Sequence, residues 1–359
     1  MQSNPRVVFA ERPVSRELPV VGKHILLDTS RTIDIENVAL NGGFLTKTLI
    51  LSPEPAMRDR MRDPASVNYT TVYKVGGPIT GFAVVVVLRS EKEGVNVGDY
   101  MYGMTTWEAY TVQPYEEGRV HFKSEDWPPG TFDMDSLALQ VVPNPHGNYP
   151  LSKYTSVMGT PGLTAFVGFE GIIKGKAGET IFVSAGASGV GSVVVQLAKL
   201  KGMKVIASAG SDAKVEYLRN IGADLPFNYK KTNYSSFLAA HGPINYCWVT
   251  LEALTAYGLV AVCGALAHDN VEPSQHYRLK NAYLIHMKRI TIRGFIVPDF
   301  LPQLLGRFFE EVPALMAQGK LKSEERNIHG IENTPEAIVD MLKSGHGVAG
   351  KPVVIIAQE

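Results

Sequence analysis

The segment IFVSAGASGVGSVVVQLAKLKGMKVIASA, residues 181–209, decides the fold of this chain. It begins with apolar, β-branched residues at 181–183 and continues with a run of mostly small residues at 184–192. A helical repeat of apolar residues follows, and a second apolar run at 204–207 ends the unit. This order predicts a strand, a tight turn, a helix and a strand, which together open a dinucleotide-binding βαβ fold.

The turn of this unit is built mainly from small residues, with Ser188, Gly189, Val190 and Gly191 at its helical end. A pyrophosphate can lie at a helix N-terminus only where the backbone approaches it closely, and small residues permit that approach. The spacing differs from a strict G-x-G-x-x-G, and the turn alone fits an ordinary strand–helix corner equally well. The flanking strand–helix–strand pattern favours the phosphate site.

Composition and charge limit the class of protein. The 359 residues suggest two domains, and 45% hydrophobic with 19% charged residues is typical of a globular α/β chain. Lys+Arg and Asp+Glu both number 35, so no charge surplus favours nucleic acid or an anionic membrane. Cys247 and Cys263 lie in apolar runs and are interpreted as core thiols. Without a membrane-length apolar stretch or a signal peptide, we expect a cytoplasmic protein.

The two halves of the chain differ in pattern. Before residue 150, short strands such as 43–51 and 81–89 alternate with turn residues, and the charged stretch 52–75 predicts a short helix and loop with a solvated face. After residue 156, strands and helices alternate as in a parallel sheet. Further strands are predicted at 225–227, 244–249, 259–263, 290–297 and 353–357, and helices at 163–169, 308–318 and 335–344.

One connection is too short for this alternation. The strands at 244–249 and 259–263 leave about nine residues for a parallel crossover that normally takes a dozen or more. Either a stunted helix lies at 251–257, or the local topology differs.

The end of the second strand indicates which dinucleotide binds. Gly210 and Ser211 place no acidic side chain there, whereas an NAD enzyme uses Asp or Glu to bind the ribose. Lys214 follows, which favours a 2′-phosphate and therefore NADPH, although Lys214 could also be a solvated helix residue. The acidic Asp212 argues against a phosphate there, but its position suggests that it lies at a helix N-terminus. Tyr229 could cover the adenine end or lie on the surface.

Residues for the chemistry are less distinct. The sequence has no Ser-His-Asp order and no Cys/His spacing typical of a metal site. His268 and Asp269 follow the 259–263 strand, where a doubly wound sheet places ligand-contacting loops, so they are candidate proton donors. A capped loop explains the same pair of residues.

Several motifs then point to a family. Residues 51–58 (LSPEPAMR), 107–110 (WEAY) and 158–168 (MGTPGLTAFVG) resemble sequences of the zinc-independent medium-chain dehydrogenases/reductases. Residues 211–214 (SDAK) and 227–230 (FNYK) are similar to the same group, which contains prostaglandin reductase, leukotriene hydroxydehydrogenase and the plant alkenal double-bond reductases. The resemblance covers nearly the whole chain.

The resemblance implies a GroES-like, β-rich catalytic domain at 1–150, a Rossmann NADPH-binding domain at 151–300, and a C-terminal segment at 301–359 that completes the catalytic domain. It implies a metal-independent, homodimeric enzyme that transfers hydride from NADPH to the β-carbon of an α,β-unsaturated aldehyde or ketone. It implies a substrate pocket lined by Ala56, Tyr69 and Trp107. The candidate cofactor-binding residues are Pro161, Thr164, Ser188, Gly189, Val190, Gly191, Gly210, Ser211, Lys214, Tyr229, Cys263, Gly264, Phe295, Ile296 and Val297.

The chain also departs from the family pattern. Ala56 stands where the family has a pocket tyrosine, and Asp269 stands where it has another tyrosine. A glycine-rich loop after the fourth strand is missing, which accounts for the short crossover. Two alternatives therefore stay open: a quinone or secondary-alcohol oxidoreductase on the same fold, and a non-catalytic NADPH-binding protein.

Overall fold

The structure is a computed structural model that describes residues 1–66, 69–115, 138–142, 149–247, 251–264, 266–276, 279, 281–343 and 349–358. Its strands, in chain order, are β1 (Gln2–Ser3), β2 (Arg6–Phe9), β3 (Ile25–Asp28), β4 (Thr32–Ile33), β5 (Phe44–Leu51), β6 (Gly77–Pro78), β7 (Thr80–Ser90), β8 (Tyr100–Thr106), β9 (Tyr110–Gln113), β10 (Gln140–Val141), β11 (Thr180–Val183), β12 (Lys204–Ala209), β13 (Leu225–Asn228), β14 (Ile244–Cys247), β15 (Leu254–Val262), β16 (Thr291–Gly294), β17 (Glu325–His329) and β18 (Lys351–Ile355).

The helices accompany the second half of the chain for the most part. They are α1 (Met57–Arg60), α2 (Thr160–Val167), α3 (Gly189–Leu200), α4 (Asp212–Asn220), α5 (Tyr234–His241), α6 (Leu266–Asp269), α7 (Tyr283–Lys288), α8 (Leu301–Ala317) and α9 (Thr334–Leu342). A π-helical turn, Gly168–Ile173, extends α2.

Six parallel strands form the sheet predicted around residues 181–209. Their order is β13-β12-β11-β14-β15-β16, and each neighbouring pair is parallel. This is the order of a doubly wound dinucleotide-binding sheet, and its direction of growth reverses between β11 and β14. Ligands of such sheets bind outside the carboxyl ends of the strands at this reversal. The prediction of a Rossmann fold is confirmed.

The short connection between β14 and β15 contains no helix at 251–257, so of the two alternatives expected there the structure shows the altered local topology. β14 ends at Cys247 and β15 already begins at Leu254, so the residues predicted as helix contribute to a strand instead. The pair stays parallel, with an irregular register between Ile244 and Tyr246. Because so few residues separate β14 and β15, the chain cannot form a crossover helix between these two strands. The local connection is therefore altered while the sheet order is kept.

A mainly antiparallel sheet forms the second layer and receives the end of the chain, and β17 and β18 are its parallel pair. Its order is β10-β8-β7-β5-β18-β17, with β9 also paired to β5. The C-terminal strand β18 pairs with β5 through Val354 and Leu51. After α8 the chain therefore returns to the sheet that its N-terminal half forms. One hydrophobic cluster contains both Val84 of this sheet and Ile181 of the parallel sheet. The domain boundaries at residues 150 and 300 stay a prediction.

The stretch 52–75 differs from the solvated face predicted for its charges. Arg58 is fully buried and its Nε donates to Asn270 Oδ1 at 2.8 Å. Arg60 is also buried and donates to the carbonyl oxygen and to Oγ1 of Thr80, each at 2.7 Å. Buried guanidinium groups are stable only when hydrogen-bonded, and these acceptors lie far from them in sequence.

Among the described residues, no helix is long and apolar enough to cross a membrane.

Candidate cofactor and active site

The turn between β11 and α3 has the geometry of a phosphate-binding corner. Ser188 caps α3, and its Oγ accepts a hydrogen bond from the Gly191 N–H at 3.0 Å. A Cβ placed on Gly191 would lie 2.4 Å from the Ala185 carbonyl oxygen, so the turn itself requires glycine there. A Cβ placed on Gly189 would make ordinary contacts at 3.4 Å. The packing of the protein therefore does not require glycine at position 189, and a close-approaching ligand there stays a prediction.

A small pocket, which we call the phosphate pocket, opens between this turn and the C-terminal residues. Its lining includes Ser188 and Gly189 from the turn, Tyr217 from α4, and Glu324, Gly350 and Lys351 from the C-terminal residues. The pocket lies at the N-terminus of α3, where the helix dipole and unpaired N–H groups favour an anion. The two layers of the molecule thus meet at the predicted pyrophosphate site.

Lys351 is buried at the back of the phosphate pocket. Its Nζ donates to Ser52 Oγ at 3.1 Å and to the Pro53 carbonyl oxygen at 2.6 Å, and Ser52 Oγ lies 3.0 Å from Glu54 Oε1. Burial lowers the pKa of Lys351 to about 8, and burial raises the pKa of Glu54. The side chain of Lys351 passes within 3.4 Å of a Cβ placed on Gly189. Sequence reasoning missed this network, because its members lie about 300 residues apart.

The other end of the cofactor site follows β12. Ser211 caps α4, with its Oγ 3.4 Å from the Lys214 N–H, and Tyr229 packs over Gly210. The hydroxyl oxygen of Tyr229 would lie 2.8 Å from a Cβ placed on Gly210, so a larger residue there would displace the ring. The predicted residues Gly210, Ser211, Lys214 and Tyr229 therefore lie together.

Asp212, the residue that argued against a phosphate, is neutralised by its neighbours. Lys231 Nζ lies 2.5 Å from Asp212 Oδ2, and Asn228 Nδ2 donates to Asp212 Oδ1 at 2.8 Å. These two hydrogen bonds lower the pKa of Asp212. The carboxylate is thus held as the partner of Lys231 on the solvent side of the site, one residue after Ser211, which caps the helix.

Lys214 belongs to a cluster of positive charges. Its pKa is lowered first by burial and then by the like charges of Lys230 and Arg326. Such a cluster is stabilised by an anion with more than one negative charge. Arg326 lies on β17, 112 residues beyond Lys214, and no pattern in the sequence connects the two.

The predicted nicotinamide end is formed by residues after β15 and β16. Cys263 is mostly buried, and burial raises its pKa to about 12, so this thiol stays protonated. Gly264 follows it. The Phe295 N–H donates to the Val262 carbonyl oxygen at 3.4 Å, and the Ile296 N–H donates to Asp299 Oδ2 at 3.1 Å. The Phe295 ring packs against Gly168. Gly168 directly follows α2, the helix that contains Pro161 and Thr164.

The predicted substrate residues differ in exposure. Trp107 is fully buried against Gly81, and its Nε1 has no hydrogen-bond partner in the part of the chain that the structure describes. A ring with no exposed surface offers nothing to a substrate, and Trp107 acts as a core residue. Ala56 is exposed just before α1. Tyr69 is half-buried, and burial together with the nearby Asp59 and Glu54 raises its pKa.

The candidate proton donors are held in contacts between the two layers. Asp269 Oδ1 lies 2.9 Å from Arg62 Nη2, and the same Nη2 lies 2.9 Å from Asp59 Oδ1. Burial raises the pKa of Asp269, while the charge of Arg62 opposes that change. The His268 ring stacks on the ring of His276 with centroids 4.7 Å apart. Among the described residues, no group of three His, Cys, Asp or Glu side chains could hold a metal ion, and metal independence stays a prediction.

The fold and these contacts define a two-layer oxidoreductase with a dinucleotide site at the junction of its layers. Residues 189–317 match the family described as zinc-binding dehydrogenase, and residues 31–120 match the N-terminal domain of oxidoreductase. A zinc-type alcohol dehydrogenase-like protein of Schizosaccharomyces pombe is 33% identical over 95% of each chain. A NADP(+)-dependent 2-alkenal reductase of Nicotiana tabacum is 33% identical over 91% of this chain and 93% of its own.

The structural comparison agrees with these relatives. The crystal structure of CurA in complex with NADPH from Vibrio vulnificus has a TM-score of 0.81 and 26% identity, and it covers 99% of this chain and 100% of its own. The chain belongs to the medium-chain dehydrogenase/reductase family, in the group with the alkenal reductases. It is an oxidoreductase of this family, and NADPH is the cofactor that the comparisons support.

Proposed function

We propose that this protein uses NADPH, without a metal ion, to reduce the carbon–carbon double bond of α,β-unsaturated aldehydes or ketones. The observation that carries the proposal is the phosphate-binding corner with a positive cluster at Lys214, at the junction of the two layers. Relatives named 2-alkenal reductase, (+)-pulegone reductase and prostaglandin reductase 1 support the substrate class.

The residues at the phosphate end fit the proposed cofactor. Gly189 leaves space for a pyrophosphate, and the N–H groups at the start of α3 donate to it. Lys214 and Tyr229 would hold the 2′-phosphate, because the charge cluster around Lys214 favours a dianion and the Tyr229 hydroxyl lies over Gly210. When bound, NADPH supplies hydride to the β-carbon of the conjugated substrate.

The residues proposed for the nicotinamide end are mostly apolar. Cys263 is a neutral thiol, and Phe295 is buried beside α2. Gly264, Ile296 and Val297 would lie along the same edge. A site that excludes water strengthens the hydrogen bonds that stabilise charge on the substrate.

Negative charge develops on the substrate carbonyl oxygen during the reaction, so a hydrogen-bond donor is needed there. The Tyr69 hydroxyl suits this role, because its raised pKa keeps the proton on the phenol. We keep His268 and Asp269 as candidate proton donors to the α-carbon. The loss of kcat in Tyr69→Phe, His268→Gln and Asp269→Asn assigns these roles, and wild-type rates in the last two variants would reject them as donors.

A substrate panel tests the proposed reaction. NADPH oxidation is followed by its near-ultraviolet absorbance with enals, enones and quinones. The reverse reaction, NADP+ reduction by secondary alcohols, is followed at the same absorbance. Turnover of enals or enones with a saturated carbonyl product is the expected result. Turnover of quinones or alcohols alone would move the function to another oxidoreductase class, and NADPH binding without any turnover would identify a non-catalytic binding protein.

Lys214→Ala tests the phosphate end separately. We expect NADPH to bind about 10- to 100-fold more weakly, since a hydrogen bond to a charged group contributes about 1.5–3 kcal/mol, while NADH binding stays close to wild type. Lys176→Ala, at an exposed lysine before β11, is the matched control and leaves both affinities unchanged. Equal losses for the two dinucleotides would contradict the role of Lys214.

We also propose that the protein is a homodimer through β16. This strand ends the described sheet, all four of its residues are exposed, and Ile292 is 42% exposed. Tyr283 and Met287 on the neighbouring α7 are also exposed. Two copies related by a two-fold axis would pair these edges antiparallel and cover the apolar side chains. Sedimentation velocity should give twice 39.2 kDa for the wild type and the single mass for Ile292→Lys; a wild-type monomer would contradict the proposal.

A further inference from the structure

β17, at the edge of the mainly antiparallel sheet, lies beside the phosphate end of the proposed cofactor site. β17 is the last strand of that sheet, and the Arg326 N–H nitrogen lies 3.4 Å from a Cβ placed on Gly350 of the phosphate pocket. Glu324, two residues before Arg326, lines the same pocket together with Tyr217 of α4. Lys214 lies one helical turn before Tyr217 on α4, and residues three apart on a helix share a face. Lys214 of α4 and Arg326 of β17 therefore both lie next to this pocket.

Three positively charged side chains at this junction, Lys214, Lys230 and Arg326, interact electrostatically. The like charges of Lys230 and Arg326 both lower the pKa of Lys214. The adjacent carboxylate of Glu325 is held by other groups, since Lys153 Nζ lies 2.6 Å from its Oε2 and Ser323 donates to its Oε1 at 2.7 Å. Glu324 remains at the pocket, where its charge contributes to raising the pKa of Tyr217.

We propose that Arg326 on β17 is a second cationic ligand of the 2′-phosphate, so that this phosphate links the two layers of the enzyme. The inference rests on the proposed phosphate site at Lys214. A guanidinium group binds a phosphate through two parallel N–H donors, whereas a lysine acts as a point charge. Because Arg326 lies on a strand of one layer and Lys214 lies on a helix of the other, NADPH would link the layers at this point and NADH would not.

Binding measurements with cofactor fragments test the proposal without any catalytic turnover. Calorimetry would compare NADPH, NADH, 2′,5′-ADP and 5′-AMP on the full-length wild type and on Arg326→Gln. We expect about 10-fold weaker binding of NADPH and 2′,5′-ADP in the variant, with NADH and 5′-AMP changed by less than about twofold. Arg326→Lys should recover part of the affinity because it restores the charge without the second donor.

The control removes the same charge elsewhere. Arg219→Gln, on the same helix as Lys214 but paired with Glu216 on the surface, should leave all four affinities unchanged. Equal weakening of NADPH and NADH by Arg326→Gln, or no weakening of either, would overturn the proposal. If Arg326→Gln unfolds, Arg326→Lys decides the question, since wild-type affinity for 2′,5′-ADP together with unchanged salt dependence would reject a two-donor contact.

A structural readout distinguishes a ligand from a general charge effect. Hydrogen exchange at β17 should slow when 2′,5′-ADP binds the wild type, and this protection should be lost in Arg326→Gln. Protection that is the same with 5′-AMP would contradict the link through the phosphate. An enzyme inactive with every enal could still give the expected binding results, so failure of the proposed reaction and failure of this inference are distinguishable.

Discussion

Gly189→Ala should separate cofactor binding from folding. Gly189 is the first residue of α3, and an added methyl would meet the Lys351 and Pro161 side chains at 3.4 Å, an ordinary contact distance. Replacement of glycine by alanine in a helix stabilises it by about 0.5–1 kcal/mol. The variant should therefore be as stable as the wild type or slightly more stable.

The same methyl should obstruct the pyrophosphate. If it costs one hydrogen bond to a charged oxygen, about 1.5–3 kcal/mol, the dissociation constant rises by about 10- to 100-fold. NADPH and NADH share the pyrophosphate, so both affinities should fall together. This pattern differs from that expected for Lys214→Ala and for Arg326→Gln, which affect the 2′-phosphate alone.

The assay combines urea unfolding with calorimetric titration of both dinucleotides. Gly191→Ala is the matched comparison, since its methyl would lie 2.4 Å from the Ala185 carbonyl oxygen and should destabilise the fold by about 1–3 kcal/mol. Wild-type cofactor affinity in Gly189→Ala, or a loss of stability as large as that of Gly191→Ala, would refute the reasoning.

Two further predictions concern buried residues. Because the pKa of Lys351 falls from 10.5 to about 8 on folding, the unfolded chain binds more protons between these values. The free energy of unfolding of the wild type should therefore rise with pH across this window, by up to about 3 kcal/mol relative to Lys351→Met, and parallel pH profiles of the two proteins would contradict this. Gly81→Ala should cost about 1–3 kcal/mol, because its methyl would lie 2.8 Å from the Trp107 ring, and Trp107→Phe in the same chain should recover part of that loss. Urea unfolding checks both, and no recovery in the double variant would mean that the clash lies elsewhere.

The parallel sheet was predictable because its signals are local. Short apolar runs mark β11 and β12, and the serine that caps α3 stands directly before the glycines of the turn. A one-dimensional pattern contains this information, since a strand, a cap and a helix each depend on residues within a few positions. The sequence left two alternatives open between the fourth and fifth strands, and pairing with β14, which extends β15 back to Leu254, decided between them.

The charged residues of the N-terminal half show why other features were not predictable. Arg58 and Arg60 have the composition of a solvated segment, yet their partners Asn270 and Thr80 bury them. Whether a charge is solvated depends on acceptors supplied by distant elements, and the sequence does not state which elements pack together.

The cofactor site divides in the same way. The sequence by itself determined that residues 181–209 form a strand, a tight turn, a helix and a strand, and that Lys214 follows an uncharged strand end, because both are properties of a short segment. Only the tertiary structure brought Lys351 behind Gly189 and placed Arg326 near enough for its charge to lower the pKa of Lys214. Electrostatic interactions act through space over several ångströms, and these residues become neighbours only after the chain returns to complete its first sheet.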